Sequence, residues 1–183
     1  MVKEQQKTIA INLFAGPGAG KSTAAAYIFA KLKMLGVDVE LVTEFAKDML
    51  WEDNKTAIAN QLYVFGNQCF RMGRCNGKVR VIVTDSPLLL SGLYCKPTEP
   101  YYDLLQKVIY EEAQKYDNLN FFLRRTTEYN ANGRFEKEDR AREIDDAILQ
   151  YLRSANVSLI PIDASIEDYD NLIESVLIIL RGR

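Results

Sequence analysis

Histidine is absent from the 183 residues. Without it there is no Ser-His-Asp triad, no Cys-His dyad, no His-ligated zinc and no histidine general base. Acid–base chemistry therefore falls to Asp, Glu, Lys, Tyr or water. Cysteine is scarce: Cys69, Cys75 and Cys95 form no CxxC pair, and an odd count fits no closed disulfide framework. Reduced, packed thiols and a cytoplasmic location are the expectation. Long apolar runs are missing as well. Stretches such as Val176 to Leu180 are too short to span a bilayer, and the N-terminal MVKEQQKTIAINLF carries no signal-peptide core. Charge of one sign is also missing. Lys and Arg number 23 against 25 Asp and Glu, a net charge of −2, which argues against a strongly basic nucleic-acid coat but allows a local basic patch.

What remains is an ordinary globular composition, 48% apolar and 26% charged, in a length that predicts one domain over residues 1–183. No repeat, low-complexity tract or linker interrupts it. Apolar, β-branched runs predict strands at Thr8 to Ala15, Val37 to Thr43, Val79 to Thr84, Leu119 to Leu123 and Val157 to Ile162. Helical periodicity lies between them: Ser22 to Leu35, a stretch from Glu44 interrupted near Asp53-Asn54 and resuming over Thr56 to Cys75, Pro100 to Tyr116, Phe135 to Leu152 and Ile166 to Leu180. The third helix reads as burying Leu104, Leu105, Val108, Ile109 and Ala113. Strands alternating with helices mean βαβ units, so the expected architecture is a three-layer α/β/α domain around a parallel sheet of about five strands. In such sheets ligands bind at the carboxyl ends of the strands.

The strongest pattern sits at the first of those ends: Ala15-Gly16-Pro17-Gly18-Ala19-Gly20-Lys21-Ser22, followed by Thr23, between a strand and a helix. That is the P-loop (Walker A) context. Glycines let the backbone curl so that successive N–H groups face an anion, and the helix N-terminus adds its dipole. Lys21 is placed to reach the β- and γ-phosphates of ATP, the Ser22 hydroxyl to ligate Mg²⁺, and Thr23 to bond the α-phosphate. The first motif position holds Ala15 in place of glycine.

Two acids close later strands. Asp85 ends VRVIVTD and reads as a Mg²⁺ acid or as the cap of a helix starting at Ser86-Pro87. Glu44 follows the second strand and reads as a base for an acceptor hydroxyl or as a first-turn helical acid. Lys47 and Asp48 either line an acceptor site or pair on the surface. On the helix from Thr56 to Cys75, Ile58, Leu62, Phe65, Cys69 and Met72 form an apolar stripe. Beside it run Gln61, Val64, Gln68 and Arg71, whose amides and guanidinium suit a base-like acceptor unless they are a solvated face. Tyr63 and Phe70 read as core aromatics, with stacking on a base as the alternative. Finally, FFLRRTTEYNANGRFEKEDRAREID carries six basic and four acidic residues between Arg124 and Arg142. A lid at about residues 126–142 is expected, with Arg125 and Arg134 neutralising charge on a transferred phosphoryl group. Arg140 and Arg142 read as a salt-bridged surface, and Asp145 as an anchor for a lid arginine or a plain surface acid.

Taken together, INLFAGPGAGKST, VELVTEFAKDMLWE, NQLYVFGNQ, VIVTDSPLLLSGLY, NFFLRRTTEYNANGR and AREIDDAI resemble the P-loop kinase group of AAA-like domains that includes the ribosylnicotinamide kinase domain. They look closest to phage-type members, among which are kinases of 5-hydroxymethyluracil in DNA. The resemblance implies ATP, Mg²⁺ and transfer of a γ-phosphoryl group to a hydroxyl. It makes Lys21 and Ser22 the P-loop pair, Asp85 the strand-end acid and Arg134 the lid arginine. It does not assign Glu44, nor does it fix the acceptor. A hydroxyl of a nucleoside-like acceptor, with 5-hydroxymethyluracil in phage DNA as the sharper form, is the first reading; a small-molecule nucleoside or nucleotide kinase and an ATPase switch are the others.

Overall fold

A computed structural model describes residues 7–125 and 138–183. The central strand β1 (Ile9–Phe14) runs into the glycine loop and then α1 (Lys21–Met34). β2 (Val39–Val42) follows, then three short helices, α2 (Phe45–Trp51), α3 (Lys55–Ala59) and α4 (Gln61–Gly73). Next come β3 (Val81–Thr84), α5 (Leu90–Tyr94), α6 (Tyr102–Ala113), β4 (Asp117–Arg124), α7 (Glu138–Ser154), β5 (Ile160–Asp163) and α8 (Ile166–Arg181). The five strands form one parallel sheet in the order β2-β3-β1-β4-β5.

Alternation along the inner strands builds a core on each face of the sheet. Ile9, Ile11 and Leu13 of β1, with Val81 and Val83 of β3, pack against α1 and α8. Ala10 and Phe14, with Ile82 and Phe122, pack against α4 to α7. Every residue of β1 is buried, as a parallel strand covered on both sides must be.

The expected elements are present, with differences that have local causes. The helix from Thr56 to Cys75 is broken at Asn60, whose side chain accepts a hydrogen bond from Tyr63 N–H and so starts α4; Asn54 starts α3 in the same way through Ala57 N–H. No helix begins at Ser86-Pro87: a turn closed by Leu90 N–H to the Pro87 carbonyl precedes α5. β4 begins earlier than its apolar residues suggest. The Asn12 amide donates to the Asn118 and Asn120 side-chain oxygens, both at 2.9 Å, so Asn118, just before the expected strand, is held in the sheet with Asn120 inside it. On α6, Leu104 and Val108 are exposed rather than buried. Among the described residues no helix is long and apolar enough to cross a membrane.

The helices behind β3 and β4 interlock around Gly92. A Cβ there would fall 1.9 Å from the Tyr151 hydroxyl oxygen. That hydroxyl donates to Gln106 Oε1, and Gln106 Nε2 donates to the Gly92 carbonyl, both at 2.8 Å. Gly92→Ala is expected to lower the unfolding free energy by about 1–3 kcal/mol in urea denaturation. Pairing it with Tyr151→Phe should recover part of that loss.

Candidate active site

The loop between β1 and α1 is shaped by glycines that no other residue replaces cheaply. Gly18 and Gly20 sit at φ 83° and 92°, in the left-handed region, and Gly20 is the cap residue of α1. Gly16 has no room for a side chain: a Cβ would lie 2.7 Å from the Ala141 carbonyl oxygen and 3.0 Å from Asp145 Oδ1. Pro17 is half-buried and Ala19 buried, while Thr23 is exposed on the first turn of the helix.

Lys21 is folded back on this loop. Its ammonium donates to the carbonyls of Ala15 at 2.7 Å and Gly16 at 3.0 Å. Burial pushes its pKa down; the carboxylates of Glu44, Asp85 and Asp145 oppose that shift, and the Arg125 charge adds to it. One ammonium therefore senses side chains from the ends of β2, β3 and β4 and from α7.

The Ser22 hydroxyl donates to Asp85 Oδ2 at 2.6 Å. Asp85 is only 5% exposed, and its Oδ1 is buried without a partner among the described residues. A buried carboxylate oxygen left without a donor is costly. Two oxygen ligands, one of them an orphan, suit a hard cation such as Mg²⁺, which takes few protein ligands and completes its shell with water and phosphate. No cluster of three or more His, Cys, Asp or Glu side chains able to hold a metal occurs among the described residues.

Glu44 is the cap residue of α2, yet its side chain makes no capping hydrogen bond. Glu44 thus stands one residue before the first turn of α2 rather than within it. Burial raises its pKa above the ordinary carboxylate value. Lys21 and Lys47 act against that shift, and the Asp85 and Asp48 charges act with it. Of the two strand-end acids, Asp85 is engaged by Ser22 while Glu44 is not committed to the backbone it caps.

The structure brings Gln68 and Arg71 to this acid rather than to an open acceptor surface. Gln68 is 2% exposed. Its Oε1 accepts from Phe45 N–H at 2.9 Å and its Nε2 donates to the Thr43 carbonyl at 3.4 Å, so one amide grips both neighbours of Glu44. Arg71 Nη1 donates to the Thr43 carbonyl at 3.4 Å, its Nη2 pairs with Asp48, and its guanidinium lies 5.1 Å from the Phe45 ring centroid. Gln61 donates back to the Ile58 carbonyl at 3.3 Å. The expected acceptor-reading amides thus have partners in the chain, and Asp48 pairs with Arg71. Val64, between them in the stripe, packs with Phe45 and Met49. Two core aromatics of the sequence reading are exposed: Phe70 is 70% accessible, and Tyr63 touches Phe45 only edge-on, with centroids 5.5 Å apart.

On the other side of the loop, Arg125 Nε donates to Asp145 Oδ2 at 2.7 Å, and Asp145 Oδ1 accepts from Gly16 N–H at 2.5 Å. The sequence hints at this contact. Asp145 falls on the same face of α7 as Ala141, Ile148 and Leu152, all fully buried, and an acid on an apolar stripe needs a buried partner. Arg124 pairs with Asp163 and Arg140 with Glu143, each at 2.7 Å and exposed. Arg134 and most of the expected lid lie outside the described residues.

Residues 10–168 match a family model described as an AAA domain. No protein of curated function matches the sequence. In fold the chain is similar to the NadR protein solved in complex with NR, with a TM-score of 0.66 at 12% identity over 92% of this chain and 50% of that one. It is similar to the NadR protein in complex with NAD and AMP-PNP, with a TM-score of 0.64 at 10% identity over 92% and 48%. It is also similar to thymidylate kinase from Ehrlichia chaffeensis, with a TM-score of 0.58 at 12% identity over 95% and 98%. The chain spans about half the length of the NadR chains. These likenesses are of fold, the α/β fold of P-loop kinases.

The Gln68 brace gives a direct test. Gln68→Leu leaves Phe45 N–H buried without an acceptor, and chemical denaturation is expected to register a loss of about 1–3 kcal/mol.

Proposed function

The chain belongs to the AAA domain family, and from that membership and the geometry of its site we propose that it is an ATP-dependent phosphotransferase that moves a γ-phosphoryl group to a hydroxyl of a nucleoside-like acceptor. The observation that carries this reading is the bond from Ser22 Oγ to Asp85 Oδ2, with the second carboxylate oxygen buried and unpartnered beside a glycine loop. NadR has been solved with AMP-PNP, and another fold neighbour is a thymidylate kinase; both likenesses favour nucleotide chemistry here.

In this proposal the loop over residues 16–23 binds the phosphates of ATP through the N–H groups of residues 18–23, and the Lys21 ammonium leaves the Ala15 and Gly16 carbonyls to follow them. Ser22 and Asp85 would hold Mg²⁺, which supplies positive charge to the phosphates when bound. Glu44 accepts the proton of the acceptor hydroxyl as its oxygen attacks the γ-phosphorus and the bond to ADP breaks. Burial raises its pKa, and unlike Asp85 it is not engaged by the Ser22 hydroxyl. Arg125, together with Arg134 of the lid, neutralises charge on the transferred group. The acceptor is a hydroxyl on a free nucleoside or nucleotide, or one borne by a base in DNA such as 5-hydroxymethyluracil, which would have to be flipped or single-stranded to reach the loop.

Transfer of radiolabelled γ-phosphate tests the proposal. ATP with Mg²⁺ is offered with separate pools of free nucleosides, nucleoside monophosphates, ribosylnicotinamide, and DNA with and without 5-hydroxymethyluracil. Label on one pool identifies the acceptor, whereas free phosphate with no labelled acceptor rejects the transferase reading in favour of an ATPase. Lys21→Ala is expected to abolish transfer with the fold intact; retained transfer removes the loop mechanism. Glu44→Gln should lower turnover by about 10²–10⁴-fold, and a change under about threefold removes Glu44 as the base. Because burial raises the Glu44 pKa, activity should fall as pH drops through a value above the ordinary carboxylate range. That acid limb should be missing from the residual rate of Glu44→Gln.

A further inference from the structure

One carboxylate on α7 is shared between the phosphate loop and an arginine. Asp145 Oδ1 accepts from the backbone N–H of Gly16 at 2.5 Å, and Oδ2 accepts from Arg125 Nε at 2.7 Å. Arg125 Nη2 donates further to the Ala141 carbonyl at 3.4 Å. The two side chains are 12% and 16% exposed, so this ion pair is largely withdrawn from water. A guanidinium has five N–H donors. Among the described residues Nη1 donates to nothing, although it belongs to a cation packed against the loop, where its Nη2 would stand 3.1 Å from a Cβ on Gly16.

We propose that Asp145 is a positioning residue for nucleoside triphosphate binding: its carboxylate holds the Arg125 guanidinium against the phosphate loop so that Nη1, which has no partner among the described residues, faces the terminal phosphate of the bound nucleotide. The inference rests on the nucleotide-binding part of the function proposed above and needs no acceptor. It explains why Gly16 tolerates no side chain: the loop must approach α7 closely enough for one carboxylate to reach both partners. It also gives the turn of α7 that carries Asp145 a direct bond to the loop. Asp145 acts through Arg125, so its effect depends on the presence of that arginine and on the γ-phosphate.

Isothermal titration of the whole chain with ATP and with ADP, each with Mg²⁺, tests this in wild type, Asp145→Asn, Arg125→Gln and the double variant. Asp145→Asn is expected to weaken ATP by about tenfold or more and ADP by under about threefold, the difference set by one charge-assisted hydrogen bond. The double variant should bind ATP no more weakly than Arg125→Gln alone, because the two losses are one loss. Equal weakening of ATP and ADP, or losses that add, overturns the proposal and leaves Asp145 as a structural partner of Gly16. A wild type that binds neither nucleotide rejects the nucleotide reading itself, a distinct outcome. Thermal melting checks each fold. Should Asp145→Asn fail to fold, Arg125→Lys is read against wild type: it keeps the charge but loses the planar fork, and unchanged ATP-over-ADP preference in it overturns the proposal.

Discussion

The site depends on burying β1 on both faces. Because that strand is covered by α1 and α8 on one side and by α4 to α7 on the other, its C-terminal end opens into the middle of the molecule. β3 and β4 flank it. Whatever leaves β1 therefore meets side chains from both directions: Asp85 and, one strand further, Glu44 from one side, Arg125 and Asp145 from the other. The mixture of charges around Lys21 follows from strand order. A lysine that is desolvated yet flanked by three carboxylates and one arginine results from placing four chain segments at one edge of a parallel sheet.

Much of this was legible in the sequence because it is encoded locally. The glycine loop declares itself by spacing, and the parallel sheet by strands that alternate with helices and by the nearly unbroken apolar run that ends in Val81–Thr84. Asp85 stands out as an acid closing such a run. What could not be read is what depends on side-chain reach. Gln68 and Arg71 sit on the face the periodicity indicates, but their partners are the peptides either side of Glu44, 23 to 28 residues away. A polar stripe on a helix shows that something polar is faced, without saying whether it is solvent, a ligand or another part of the chain. Asn60 was missed as a boundary because the apolar pattern continues across it, and only its cap to Tyr63 N–H shows the break. In β4, Asp117 and Asn118 precede the apolar run that starts at Leu119 and so lay outside the expected strand.

The two strand-end acids show how environment divides like residues. Asp85 has a hydroxyl donor on one oxygen and none on the other among the described residues. Glu44 is braced through the backbone on both sides while its own carboxyl remains outside those bonds. The Gln68 amide and the Arg71 guanidinium thus hold the position of the glutamate without occupying its oxygens, leaving the carboxyl open to a proton.

Lys21 makes the loop self-sufficient. With its ammonium on the Ala15 and Gly16 carbonyls, the concave backbone already encloses a positive charge before any anion arrives, and the shape does not have to be assembled by the ligand. The same arrangement caps affinity. Each contact the ammonium makes with a phosphate replaces one it was making with the loop, so its share of the binding free energy is a difference between two good sets of bonds. An anion held by such differences would be held less tightly than the charge of the loop alone suggests.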